Sequence, residues 1–116
     1  RVLKCEHDTT TFIAIVGKLD QGKITGQVKQ SFMTVENLKV QSINAPAQIP
    51  GIDFSDHRNY WAKGYQAVMI TDTAFYRNKE YHTANDTWDR LNYEQMALVV
   101  EGTFNAVINL SKAKEQ

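Results

Sequence analysis

The run Thr9-Thr10-Thr11-Phe12-Ile13-Ala14-Ile15-Val16-Gly17 is β-branched and apolar and ends in glycine. A short apolar run closed by a turn residue reads as a strand buried on both faces. Working outward, Asp20 is placed to cap a following helix in which Ile24, Val28 and Phe32 recur every four residues on one face. Gly22 and Gly26 weaken that helix, each by roughly 1 kcal/mol relative to alanine. Leu38, Val40 and Ser42 alternate with Lys39, Gln41 and Ile43, the period of a second strand. Ala45-Pro46-Ala47-Gln48-Ile49-Pro50-Gly51 then interrupts regular structure with a stiff, shaped loop.

Ser55 is placed to cap a short helix reaching about Lys63, and Gly64 stands in its stop position. Gln66-Ala67-Val68-Met69-Ile70-Thr71 reads as a third strand. Asn92 caps a long helix with Met96, Val100, Phe104, Val107 and Leu110 in a stripe at three- and four-residue spacing, the mark of a core-facing side. Strand and helix alternate three times, which predicts an α/β fold with helices packed on a mostly parallel sheet. The whole of 1–116 reads as a single domain or a piece of a larger one.

With 13 basic and 13 acidic residues, the chain has no net charge to attract nucleic acid or an anionic membrane. No apolar run approaches the roughly 20 residues of a membrane span. The single cysteine, Cys5, forms no intrachain disulfide and no structural zinc site. The chain starts without methionine and turns polar at once, as a processed or subcloned piece would, and shows no signal peptide.

Between the third strand and the last helix lies a polar, aromatic-studded stretch, Asp72 to Leu91, with little periodicity. Loops of that length inside a compact chain are usually functional or disordered, and the tyrosines and tryptophan argue for order. In open α/β sheets, ligands bind beyond the carboxyl ends of strands. Asp72, Arg77, Tyr81, His82, Asp86 and Asp89 all lie on this loop. His82 precedes Asp86 by four residues; a metal-binding histidine commonly donates its second ring N–H to a carboxylate. A surface histidine near a surface aspartate reads the same on spacing alone. A second cluster, Ser55-Asp56-His57, holds the residue types of a catalytic triad. Consecutive residues at a helix start point in different directions and cannot form the acid–base–nucleophile line. A capping serine followed by an aspartate that suits the helix dipole accounts for them.

The two clusters in this order, Gly51-Ile52-Asp53-Phe54-Ser55-Asp56-His57-Arg58-Asn59-Tyr60-Trp61, Gly64 to Ala74, Tyr81-His82-Thr83 with Asp86-Thr87, and Leu91-Asn92-Tyr93 with Met96-Ala97, resemble the C-terminal portion of the di-zinc aminopeptidases. That family includes secreted bacterial leucine aminopeptidases and, more distantly, glutaminyl cyclases. The resemblance runs from about Phe12 to Leu110.

It implies a mixed, mostly parallel sheet between helices and a centre of two zinc ions held by five side chains, with a further glutamate as general base. The last ligand, a histidine, maps onto His82. The other four ligands and the base belong upstream in the family's order, and Glu6, His7 and Asp8 do not match them. Tyr81 maps onto a tyrosine that in some members donates to the substrate carbonyl oxygen, and it reads equally as packing. Asp86 takes the place of a carboxylate behind the metal ligand or fixing the loop. Ser55, Asp56 and His57 support the pocket, which Asp72 and Arg77 border. The resemblance implies hydrolysis of N-terminal residues from peptides by an intact, secreted or periplasmic protein. It also implies an inactive chain when these residues stand alone, with open edges that favour self-association. Two other readings remain: a non-catalytic α/β domain on the same scaffold, and cyclisation of N-terminal glutamine.

Overall fold

The computed structural model describes residues 12–112. Cys5, the Glu6-His7-Asp8 run and the first three residues of the expected opening strand lie outside them. The elements follow in the order β1 (Ile13–Lys18), α1 (Gly22–Phe32), β2 (Val40–Ala45), α2 (His57–Ala62), β3 (Val68–Thr71) and α3 (Tyr93–Lys112), with short 3-10 turns at Ala74–Tyr76 and Trp88–Arg90. The expected α/β class is what forms.

The sheet has the order β2-β1-β3. β2 runs parallel to β1, with Ile13 opposite Val40 and Lys18 opposite Ala45. β3 runs antiparallel, with Gly17 opposite Val68 and Ala14 opposite Thr71. The three strands therefore form a mixed sheet. The sequence pattern of β3 shows a buried strand but carries no mark of its direction, because side chains alternate between faces whichever way a strand runs.

β1 is central, and its side chains divide between two cores. Ile13 and Ile15 pack with Val28 and Phe32 of α1, Val35, Leu38 and Ala106 of α3. Ala14 and Val16 pack on the opposite face with Ala45, Ile52 and Trp61 of α2. The result is a layer of α1 and α3, a sheet, and a layer of α2 with the loop before it. α1 forms despite its two glycines because Thr25, Val28, Ser31 and Phe32 are buried against the sheet and α3; tertiary packing outweighs propensity.

α1 and α3 approach closely at one point. A β-carbon added at Gly102 would lie 2.6–2.9 Å from the ring of Phe32, so only glycine admits that ring. Asn105 and Asn109 donate from α3 to the hydroxyls of Thr34 and Ser31, at 3.1 and 3.0 Å. The stripe expected to face the core mostly does not. Val100, Phe104 and Val107 are 61%, 63% and 60% exposed and Met96 is 39% exposed. α3 instead docks through Gly102 and Ala106, with Leu98, Val99 and, from the predicted stripe, Leu110 against the core. Small residues allow the two helix backbones to come near, which a line of large side chains would prevent.

The expected helix caps hold in part. Asn92 receives the amide of Gln95 on its side chain and caps α3. Asp20 does not cap α1; it faces Lys18 at 3.5 Å. Gln21 occupies the capping position and uses its buried side chain to receive the amide of Ala67 and donate to the carbonyl of Tyr65, both at 3.2 Å. The Trp61 indole donates to Ala67 as well, at 2.9 Å. These bonds fix the chain's entry into β3. Ser55 does not cap α2; Asp56 holds that position without a side-chain bond, and the Arg58 amide donates to the backbone carbonyl of Ser55, not to its side chain.

At the other end of α2 the stop is as expected. Gly64 is left-handed, at φ 78°, with its amide on the Trp61 carbonyl and the Tyr65 amide on the Tyr60 carbonyl. This paired arrangement closes helix ends where the last carbonyls would otherwise lack donors. Nothing lies within 4 Å of a β-carbon at Gly64, so Gly64→Ala tests backbone strain alone. It is expected to lower stability by about 1 kcal/mol, read as a lower urea midpoint with an unchanged slope.

Candidate active-site cleft

Because β3 is antiparallel to β1, the long loop leaves β3 beside the beginning of β1. The candidate site thus lies beyond the carboxyl end of β3 and the amino end of β1, and the rule about carboxyl ends applies to β3 alone. Arg77 ties the two strands together there. It donates to the Phe12 carbonyl at 2.6 Å, lies 4.4 Å over the Phe12 ring, and also donates to the Asp72 carbonyl and Thr73 hydroxyl. Asp72 receives the amide of Ala74. Both residues shape the start of the loop, and neither lines the cleft.

An open cleft of about 620 Å³ lies between this loop and the segment leading into α2. Asp53, Phe54, Ser55, Arg58 and Asn59 form one wall, and Phe75, Tyr81 and His82 the other. Phe75 joins the walls, with ring centroids 6.1 Å from Phe54 and 6.0 Å from Tyr81. Tyr76 fastens the loop behind, its hydroxyl donating to the Pro50 carbonyl at 3.0 Å. Arg58 faces Asp53 at 3.8 Å on the far wall.

Tyr81 and His82 present stacked rings, with centroids 3.9 Å apart and planes 16° from parallel. Adjacent side chains on extended backbone point to opposite sides. Here His82 has φ 61°, a left-handed conformation uncommon outside glycine, and it brings both rings to one wall. Such backbone persists only where surrounding bonds enforce it. The Thr83 amide and hydroxyl both reach the Glu80 carbonyl, at 2.9 and 2.8 Å, and Asp86 donates its amide to the Thr83 carbonyl.

Asn78 anchors this turn, a role that no pattern in the sequence marks. It is 6% exposed on a loop whose neighbours are largely open to solvent. Its side-chain oxygen receives the Glu80 amide, and its amide group donates to Asp86 Oδ1, both at 3.1 Å. The carboxylate of Asp86 therefore closes the loop across the base of the His82 turn. Among the described residues no bond joins it to the imidazole. Asn78→Ala removes the bond to a charged acceptor, and amide exchange over residues 80–86 is expected to quicken about tenfold. Hydrogen exchange followed by mass spectrometry measures it; rates unchanged there would mean that the bond carries no weight.

Ser55, Asp56 and His57 diverge, as the geometry of a helix start requires. Ser55 faces the cleft and Asp56 is exposed, while His57 is buried. The His57 Nε2–H donates to the Ile52 carbonyl at 2.6 Å, and the ring stands edge-on to Trp61 with centroids 4.5 Å apart. His57 Nδ1 is buried without a partner among the described residues. The three form no catalytic line. At the loop's far end, a hydrogen bond from the Thr87 side chain and one from Asp89's own amide hold the Asp89 carboxyl below the usual carboxylate range.

The family model of peptidase family M28 matches residues 6–107. The chain belongs to peptidase family M28. A curated relative, "Uncharacterized protein YfbL" from Escherichia coli (strain K12), is 52% identical over 102 residues, which are 88% of this chain and 32% of the relative. The chain thus spans about a third of the length of the curated relative it matches. No solved structure matches.

M28 peptidases are generally zinc-dependent. Zinc takes about three or four protein ligands of the histidine, cysteine and carboxylate kind. Among the described residues, no three such side chains gather around one point. His82, exposed at the cleft, fits the part of one ligand, and the described donor set alone does not fit a zinc ion.

Proposed function

We propose that these residues form the part of a zinc-dependent aminopeptidase that contributes its last metal-binding histidine, His82, and one side of its substrate cleft. The observation that most supports the reading is the paired exposure of Tyr81 and His82 on one wall of a cleft, in an M28 chain. An imidazole beside a phenol hydroxyl offers a metal donor next to a hydrogen-bond donor for a carbonyl oxygen. A zinc ion held by His82 together with ligands from outside the described residues would supply Lewis-acid activation of water and of the scissile carbonyl. Tyr81 would direct its hydroxyl at the oxygen on which negative charge develops. Phe54 and Phe75 would receive an apolar side chain at the substrate's N-terminus, and the loop closed by Asn78 and Asp86 would hold both donors still. A secreted or periplasmic intact protein is what the family resemblance implies. Among the described residues, no helix is long and apolar enough to cross a membrane.

The single-ligand donor set favours one other reading, a non-catalytic domain on the same scaffold. A chimera separates the two: the E. coli relative with residues 6–107 of this chain grafted over the matching stretch. The chimera is expected to bind zinc and release N-terminal residues from peptides, with activity lost to a chelator. The 116-residue chain is expected to do neither. A folded chimera that hydrolyses no peptide would sink the peptidase reading. Conversion of N-terminal glutamine alone would redirect it to cyclisation.

A further inference from the structure

The outer side of α3 is a line of large apolar groups open to solvent: Tyr93, Met96, Val100, Phe104 and Val107, between 39% and 63% exposed. They recur at three- and four-residue steps along one side of the helix, while the other side is seated on α1 through Gly102 and Ala106. Single exposed apolar residues are ordinary, but a contiguous line of them marks a surface made to be covered. The line also leads to the candidate site. The Tyr93 hydroxyl donates to the carbonyl of Trp88, itself 75% exposed, at the end of the loop that carries His82. Two further facts bear on what covers it. The chain spans 32% of its 52%-identical relative, so most of the relative's length has no counterpart here. The candidate metal site is also incomplete among the described residues.

We propose that this side of α3 is the docking surface for the portion of the longer relative that lies outside the matched stretch. That portion reaches from α3 along the Tyr93–Trp88 junction to the His82 loop, so one interface both covers the apolar line and completes the cleft. Docking stands on the exposed line, the family and the relative's length. What the docked portion supplies, the remaining metal ligands, rests on the peptidase reading above.

The test compares the 116-residue chain with the chimera, each carrying Val100→Glu together with Phe104→Lys. Glutamate four residues before lysine suits an exposed helix, so the substitutions leave the isolated chain's melting temperature within about 2 °C. In the chimera they place two charges in an apolar contact, and melting is expected to fall by about 10 °C or more. An unchanged chimera overturns the proposal, since the line would then face solvent in the longer protein too. A chimera with the native α3 residues that fails to fold overturns it as well, because a complementary seat is what is claimed. Sedimentation of the isolated chain as a dimer that the same substitutions split would make a second copy the occupant, and overturn it. If melting depends on the line but the chimera holds no zinc and hydrolyses nothing, docking stands and the peptidase reading falls.

Discussion

Phe32→Ala is expected to lower the chain's unfolding free energy by about 3–5 kcal/mol, the usual cost of deleting a large buried aromatic. Phe32 is the largest of the fully buried side chains, at 0% exposure, and lies where β1, α1 and α3 meet. The cavity it leaves cannot be filled from α3, because the facing position is Gly102. Small domains have only about 5–15 kcal/mol in total, so the variant would lose a large share and unfold at a much lower urea concentration. Phe104→Ala is the control: a residue of the same type, 63% exposed on the same helix pair, is expected to leave the midpoint of the 116-residue chain within about 0.5 kcal/mol of the parent. Gly102→Ala alone would force its methyl into the Phe32 ring. Combined with Phe32→Ala it fills vacated space, so the two substitutions should be less harmful together than their sum, a coupling read from a double-mutant cycle. Equal losses for Phe32→Ala and Phe104→Ala would show that α3 is seated on its other side.

That contrast also marks how far the sequence could be read. β1 was legible because five consecutive buried positions, Ile13 to Gly17, leave a continuous apolar signal. Ile24, Val28 and Phe32 were legible as one side of a helix, and Gly64 as a stop, because local geometry alone determines both. α3 was legible as a helix but not in its orientation. It has two sides capable of contact, and hydrophobic spacing favours the one with larger residues, whereas close packing selected the one with Gly102 and Ala106. The direction of β3 was illegible for a related reason: alternation is blind to strand polarity. In the cleft, His82 and Tyr81 were singled out by the family resemblance, since spacing alone reads His82 equally as a surface histidine. Their shared wall depends on a left-handed backbone at His82, and the bond that braces the turn depends on burial of Asn78, which only the folded loop creates.

His82→Ala should weaken zinc binding by the chimera by more than about 100-fold, beyond the 10- to 100-fold seen when a residue merely supporting a ligand is lost. Hydrolysis should fall with it. His82 is exposed, so the substitution empties no core, and melting of the 116-residue chain should barely move. Tyr81→Phe separates the neighbouring role. The ring keeps its stack on His82 and its contact with Phe75, so zinc affinity should be retained. Loss of a hydroxyl aimed at the developing oxyanion should lower kcat by about 100- to 1000-fold. The two rings lie 3.9 Å apart, so a general disturbance of the loop would affect both readouts in both variants. Independent loss, metal with His82 and turnover with Tyr81, is what distinct chemical roles require. Full zinc affinity in His82→Ala would remove the imidazole from the metal site and leave the cleft without its proposed ligand.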